Sequence, residues 1–259
     1  MRLRIYQLDA FAATVFRGNP AAVVPLTEWL DDRLLQGIAL ENNLSETAFF
    51  RPRGDGFDLR WFTPAAEVDL CGHATLATAW LIMNRLEPGR AGVSFQTRSG
   101  ELAVTRDGGR LAMDFPARPP KPIAPPPGLI EAMGLAPREI LAARDVLLVY
   151  DDAVAVGRLA PDMNALAAVD CFAVCATAPG DDVDCVSRFF APREGVPEDP
   201  VTGSAHCTLA PYWSHRLGRS TLRCRQISAR GGELLCIDRG DRVTIVGECA
   251  FYLEGEIVV

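Results

Sequence analysis

Apolar positions along the chain follow two rhythms. Where they alternate they predict strands: Leu3 to Phe11, Ala21 to Val24, Thr47 to Phe50, Phe57 to Phe62, the two runs flanking Gly108-Gly109, Val146 to Tyr150, Cys171 to Ala176, Asp184 to Phe190, Gln226 to Ser228, Glu233 to Ile237, Arg242 to Val246 and Gly255 to Val259. Where they recur at helical spacing they predict helices. These cover Thr27 to Ala39, Gly72 to Asn84, Leu129 to Met133, Pro161 to Val169 and Gly203 to Leu217, the last ended by Gly218. Asp69 stands where a cap for the helix at Gly72 is expected. A glycine at such a start lets a ligand approach the first N–H groups, which have no partner inside the helix and favour a carboxylate or phosphate.

The pattern occurs twice. Arg60-Trp61-Phe62-Thr63-Pro64 leads through an acidic loop to Cys71-Gly72-His73-Ala74, and Arg188-Phe189-Phe190-Ala191-Pro192 leads likewise to Thr202-Gly203-Ser204-Ala205. Downstream, Gly100-Glu101-Leu102 answers Gly232-Glu233-Leu234. Three matches in one order make the chain two copies of one unit. Between them lies the proline-rich stretch Arg118–Pro127, which cannot join a sheet interior or a helix and reads as a linker. The expected halves are 1–115, with the last strand (about 250–259) free to complete it, and 116–249.

Composition changes this picture little. The 259 residues are 49% hydrophobic, enough for two cores, and the net charge of −7 without a basic stretch argues against nucleic acid. No apolar run is long enough for a membrane span, and the N-terminus lacks a signal-peptide apolar region, so a cytoplasmic location is expected. The eight cysteines form no C-x-x-C and mostly sit in apolar segments, where free thiols act as small hydrophobes.

Three side chains are candidates for chemistry. Glu46 enters the strand at Thr47; a carboxylate between apolar strands tends toward a raised pKa and suits proton transfer, though a solvated loop glutamate is the plainer reading. His73 and His206 sit near the starts of the paired helices; the helix dipole there disfavours a charged imidazole, so His73 is expected neutral. Two histidines without a third placed ligand do not make a metal site, and none is expected. Asp199 reads as a helix cap that also steers a substrate group, and Thr202 and Ser204 as anion binders rather than nucleophiles, with no G-x-S-x-G elbow present. No nucleotide motif and no distinctive lysine appears, which leaves proton transfer without a cofactor.

The segments Asp9-Ala10-Phe11, Gly18-Asn19-Pro20-Ala21-Ala22-Val23, Glu41 to Phe49, Arg60 to Pro64, Glu67 to Thr75 and Asp199 to His206 together resemble the phenazine-biosynthesis PhzF-like isomerases, relatives by fold of diaminopimelate epimerase and proline racemase. The resemblance implies an α+β fold of two pseudo-repeated β-barrel-like halves, each wrapped around a central helix, with the site in the cleft between them, and a homodimer. It carries a proton-shuttling role onto Glu46 and substrate contacts onto Ser45, Gly72, His73, Asp199, Gly203 and Ser204. It implies a small carboxylate-bearing substrate resembling trans-2,3-dihydro-3-hydroxyanthranilate. The epimerase relatives use a cysteine at the start of each central helix. Here Cys71 holds the first position and Thr202 the second, so one glutamate serving both proton steps is preferred over a thiol pair. An epimerase using Cys71 and Glu46 as opposed bases, and a non-catalytic metabolite-binding protein, are the alternatives.

Overall fold

The computed structural model describes residues 1–259. Its contacts divide into two units, Met1–Asp114 with Val246–Val259, and Phe115–Ile245.

The first unit contains β1 (Arg2–Ala10), β2 (Asn19–Pro25), α1 (Asp32–Asn42), β3 (Glu46–Arg53), β4 (Gly56–Phe62), β5 (Glu67–Val68), α2 (Gly72–Leu81), β6 (Gly92–Thr97), β7 (Gly100–Asp107) and β8 (Arg110–Pro116). β1 pairs antiparallel with β2 and, from Arg2 to Ala10, with the C-terminal strand Cys249–Val258. α1 carries the chain from β2 to the parallel β3, with Ala21 opposite Glu46. α1 begins at Asp32 rather than Thr27 because Asp31 caps it, its carboxylate accepting the Arg33 N–H at 2.9 Å.

α2 is apolar on every side, and His73 through Ala79 are all buried. A helix apolar all round belongs in a core. Strands close in on it tightly: a Cβ on Gly247 would lie 2.5 Å from the Phe11 ring and 3.1 Å from Leu76, so only glycine lets the C-terminal segment pass. The helix ends in one π turn over Ile82–Leu86, which the helical spacing runs through without a break. Its N-cap is Cys71, not Asp69; the chain is still extended at residue 71, and Asp69 turns outward toward Arg98 at 3.9 Å.

The second unit holds β9 (Lys121–Pro122), α3 (Leu129–Met133), β10 (Glu139–Ala142), β11 (Val146–Val149), α4 (Ala153–Arg158), α5 (Met163–Ala168), β12 (Val174–Pro179), β13 (Cys185–Ala191), β14 (Val196–Asp199), α6 (Gly203–Leu217), β15 (Thr221–Gln226), β16 (Gly232–Asp238) and β17 (Arg242–Gly247). The proline-rich stretch is part of this unit: Lys121 and Pro122 pair with Ala142 and Leu141, an edge position where a missing N–H is tolerated. β12 begins at Val174, three residues after the alternation starts. α6 runs as its spacing predicts. Gly218 ends it at φ +67°, its N–H meeting the Ser214 carbonyl at 2.9 Å. The eight cysteines are all free thiols, seven of them buried. No helix is long and apolar enough to cross a membrane.

Candidate active site

The residue before β3 is set by the end of α1. Asn43 takes the left-handed conformation at φ +49°, as a C-cap commonly does, and its N–H returns to the Ala39 carbonyl. The Asn42 side chain reaches forward to Thr47 Oγ1 at 3.0 Å. Between these holds the chain passes through Ser45, half-buried, and delivers Glu46 as the first residue of β3. Its side chain is 17% exposed and lies against His73, the second residue of α2, with Oε2 3.0 Å from Nε2. Glu46 is therefore not a solvated loop glutamate.

The other imidazole nitrogen faces Cys71: Sγ to Nδ1 is 3.5 Å. The ring is thus held between a thiol and a carboxylate. The Glu46 carboxylate faces Nε2 as an ion pair, and its buried Oε2 has no other partner. A buried carboxylate with this single contact keeps lone pairs free to take a proton.

Burial works against charge on His73, but the Glu46 carboxylate 3.0 Å away favours it, and its pKa is raised above 6.5. The expectation of a neutral imidazole is corrected. A helix end carries about half a charge, whereas Glu46 presents a whole one at 3.0 Å. Burial, and then the Glu46 charge, push the Cys71 thiol up to about 11. The thiol is protonated at neutral pH.

Cys71 places no side-chain cap on α2, and the helix has no acidic residue in its first turn. The Cys71 carbonyl is taken by Thr75, through N–H at 3.1 Å and Oγ1 at 2.6 Å. Gly72, half-buried, opens the helix beside the Glu46–His73 pair. This end of the unit combines a proton acceptor, an imidazolium and a helix N-terminus, a combination suited to an anion that loses and regains a proton.

In the second unit, α6 starts at N-cap Thr202 in the same extended conformation and again without a side-chain cap. Asp199 is not the cap: it ends β14 and accepts a hydrogen bond from Thr202 Oγ1. The Thr202 N–H donates to Gln226 Oε1 at 2.8 Å, and Gln226 Nε2 donates to the Asp199 carbonyl at 2.7 Å. The donors of Thr202 are engaged by Asp199 and by Gln226 at the end of β15, which leaves Gly203 and Ser204 to open the helix. Gln226 was missed by sequence reasoning. The signal was available: a glutamine at the third inward position of a strand, after Leu222 and Cys224, is a buried polar group in need of partners. His206 donates through Nδ1–H to the Thr202 carbonyl at 2.8 Å and is fully buried.

A metal ion would find donor atoms of Glu46, Cys71 and His73 within 4.8 Å of one another. This grouping does not include His206; its donors beside His73 are Glu46 and Cys71. The thiol would first have to lose its proton.

The chain matches the family model described as phenazine biosynthesis-like protein, PhzC-PhzF, over residues 8–255. It is 54% identical over 257 residues to an uncharacterised isomerase of Pseudomonas aeruginosa, covering 99% of each chain. Among solved structures, a PhzF-family phenazine biosynthesis protein of Enterococcus faecalis superposes with a TM-score of 0.97 at 45% identity, over 100% of both chains. A hydroxyproline epimerase of Agrobacterium vitis shares the fold alone, with a TM-score of 0.64 at 12% identity over 99% of this chain and 92% of that one.

Proposed function

The chain belongs to the PhzC-PhzF family of phenazine biosynthesis-like proteins, and from that premise we propose that it is a cofactor-independent isomerase moving a proton between carbons of a small carboxylate-bearing metabolite. One observation carries the reading: Glu46 Oε2 is buried, lies 3.0 Å from the His73 imidazole and has no other partner. In the forward step the substrate C–H bond breaks and its proton goes to Glu46. The electron pair left behind spreads through the substrate toward its acidic group, which the N-terminus of α2 and the His73 imidazolium stabilise. Glu46 then returns the proton to a different carbon and regains its charge. Positioned acid–base catalysis of this kind contributes about 10²–10⁴ in rate.

Cys71 as a second base is disfavoured by its protonated thiol. Its place beside Nδ1 of His73 suits it to holding the ring. Ser45, Gly72, Asp199, Gly203 and Ser204 are assigned to the substrate in the same proposal. A substrate resembling trans-2,3-dihydro-3-hydroxyanthranilate, a homodimer and a cytoplasmic location belong to it as well.

The test is incubation in heavy water with that compound and a panel of small amino and hydroxy acids, read by NMR. Deuterium entering at carbon, with a shifted double bond, supports the isomerase. Ligands that raise the melting temperature but never exchange contradict it.

A further inference from the structure

The loops that lead into α2 and α6 are gripped in the same way. In the first unit Arg60, on β4, forks onto Glu67, on β5: Nε to Oε1 at 2.7 Å and Nη2 to Oε2 at 2.8 Å. In the second, Arg188 on β13 forks onto Glu198 on β14 through the same atoms at the same two distances. Each guanidinium lies over the phenylalanine two residues further on, Arg60 5.1 Å from Phe62 and Arg188 4.9 Å from Phe190. Each glutamate stands four residues before its helix N-cap, Glu67 before Cys71 and Glu198 before Thr202.

A second hold lies closer to each helix. Ser99 Oγ, from the turn between β6 and β7, donates to the Asp69 carbonyl at 2.8 Å. Ser228 Oγ, from the loop between β15 and β16, donates to the Pro200 carbonyl at 2.7 Å. Both carbonyls are two residues before the N-cap. The guanidinium is also anchored behind, to Asp32 at the start of α1 at 2.9 Å in one unit and to the carbonyl of Leu159 at the end of α4 at 2.6 Å in the other.

A fork fixes the direction of a carboxylate as well as its distance, which a point charge does not. With the carboxylate and a carbonyl two residues further on both held, little freedom remains in the segment that reaches the N-cap. In the first unit Arg98 adds to this hold, 2.7 Å from Glu67 and 3.9 Å from Asp69, whereas Arg51 ties β3 to β4 through Asp58 at 2.9 Å without touching such a loop.

We infer that Arg60 with Ser99, and Arg188 with Ser228, are positioning residues: a two-point clamp built once in each unit, which sets where Cys71–His73 and Asp199–Thr202 present their groups. Its purpose rests on the isomerase reading; its geometry does not.

The test follows His73 ring signals against pH by NMR in the full-length, chelator-treated protein, for wild type, Arg60→Gln, Arg60→Lys, Ser99→Ala and Arg51→Lys. Loss of a positive charge acting through its field alone raises the titration midpoint of His73. A loosened clamp lets His73 leave Glu46 and lowers it. The expected result is a midpoint lowered toward the ordinary value of about 6.5 in both Arg60 variants, in Arg60→Lys despite its retained charge, with a smaller fall in Ser99→Ala and none in Arg51→Lys. A wild-type midpoint in Arg60→Lys, a rise in Arg60→Gln, or an equal fall in Arg51→Lys overturns the clamp. Should Arg60→Gln fail to fold, Arg60→Lys and Ser99→Ala decide alone. With an exchanging substrate, Arg60→Lys lowers kcat by about 10–100-fold and leaves KM within about threefold. If no compound exchanges, the isomerase reading fails while the titration still decides the clamp.

Discussion

Glu46 and His73 come from different elements, the first residue of a strand and the second of a buried helix, and meet at 3.0 Å, where the carboxylate favours the charged imidazole. This pair ties stability to pH. The folded-state pKa of His73 lies above its unfolded value, so the contribution of the pair is fully present below about pH 6.5 and is lost as pH rises through the folded-state pKa. His73→Gln is expected to cost about 1.5–3 kcal/mol at pH 6, and less at each step upward. Urea unfolding of both proteins from pH 6 to 10 checks this, and a constant difference contradicts it.

The Cys71 thiol, pushed up to about 11 by burial, is expected to resist alkylation at neutral pH. Iodoacetamide should modify it more slowly than a free cysteine. Cys71→Ala should keep substrate proton exchange within about tenfold of wild type, a change of about 1.4 kcal/mol in the barrier. Fast labelling that abolishes exchange would restore the two-base epimerase.

Asp145 is 3% exposed, and neither carboxylate oxygen has a hydrogen bond; Arg144 stands 3.9 Å away. Burial raises its pKa above 3.8. The folded protein prefers the neutral acid, so ionisation at higher pH works against folding. Asp145→Asn is expected to stabilise by about 1–3 kcal/mol at pH 7, with the gain shrinking below pH 4. Denaturant midpoints at the two pH values measure it. Destabilisation at pH 7 would mean that the charge has a partner.

Gly247→Ala tests the close passage over α2. The added Cβ meets the Phe11 ring at 2.5 Å, and overpacking of this kind costs about 1–3 kcal/mol. Thermal unfolding should show a lower Tm with unchanged secondary structure.

Much of this architecture is legible in the sequence because it rests on local signals. α6 and its glycine stop follow from spacing alone, and the duplicated Arg-to-Gly segments mark equivalent places in the two units. Glu46, His73 and Asp199 stand out as polar residues at element boundaries. What spacing misses depends on partners far away in sequence. The dipole argument for a neutral His73 fails because it omits Glu46, 27 residues earlier in the chain. Asp69 and Asp199 look like caps, but β-pairing runs to Val68 and Asp199, and the chain is still extended at the N-caps Cys71 and Thr202. The sequence marks Gln226 as a buried polar group in need of partners, but its tie to Thr202 comes only with the fold.

The most direct measurement compares wild type with Glu46→Gln for solvent deuterium entering a substrate carbon, on proteins shown to have the same fold by circular dichroism. The account predicts incorporation by wild type and a loss of about 10²–10⁴-fold in the variant, with ligand binding retained. Equal incorporation by both proteins would contradict Glu46 as the residue that moves the proton.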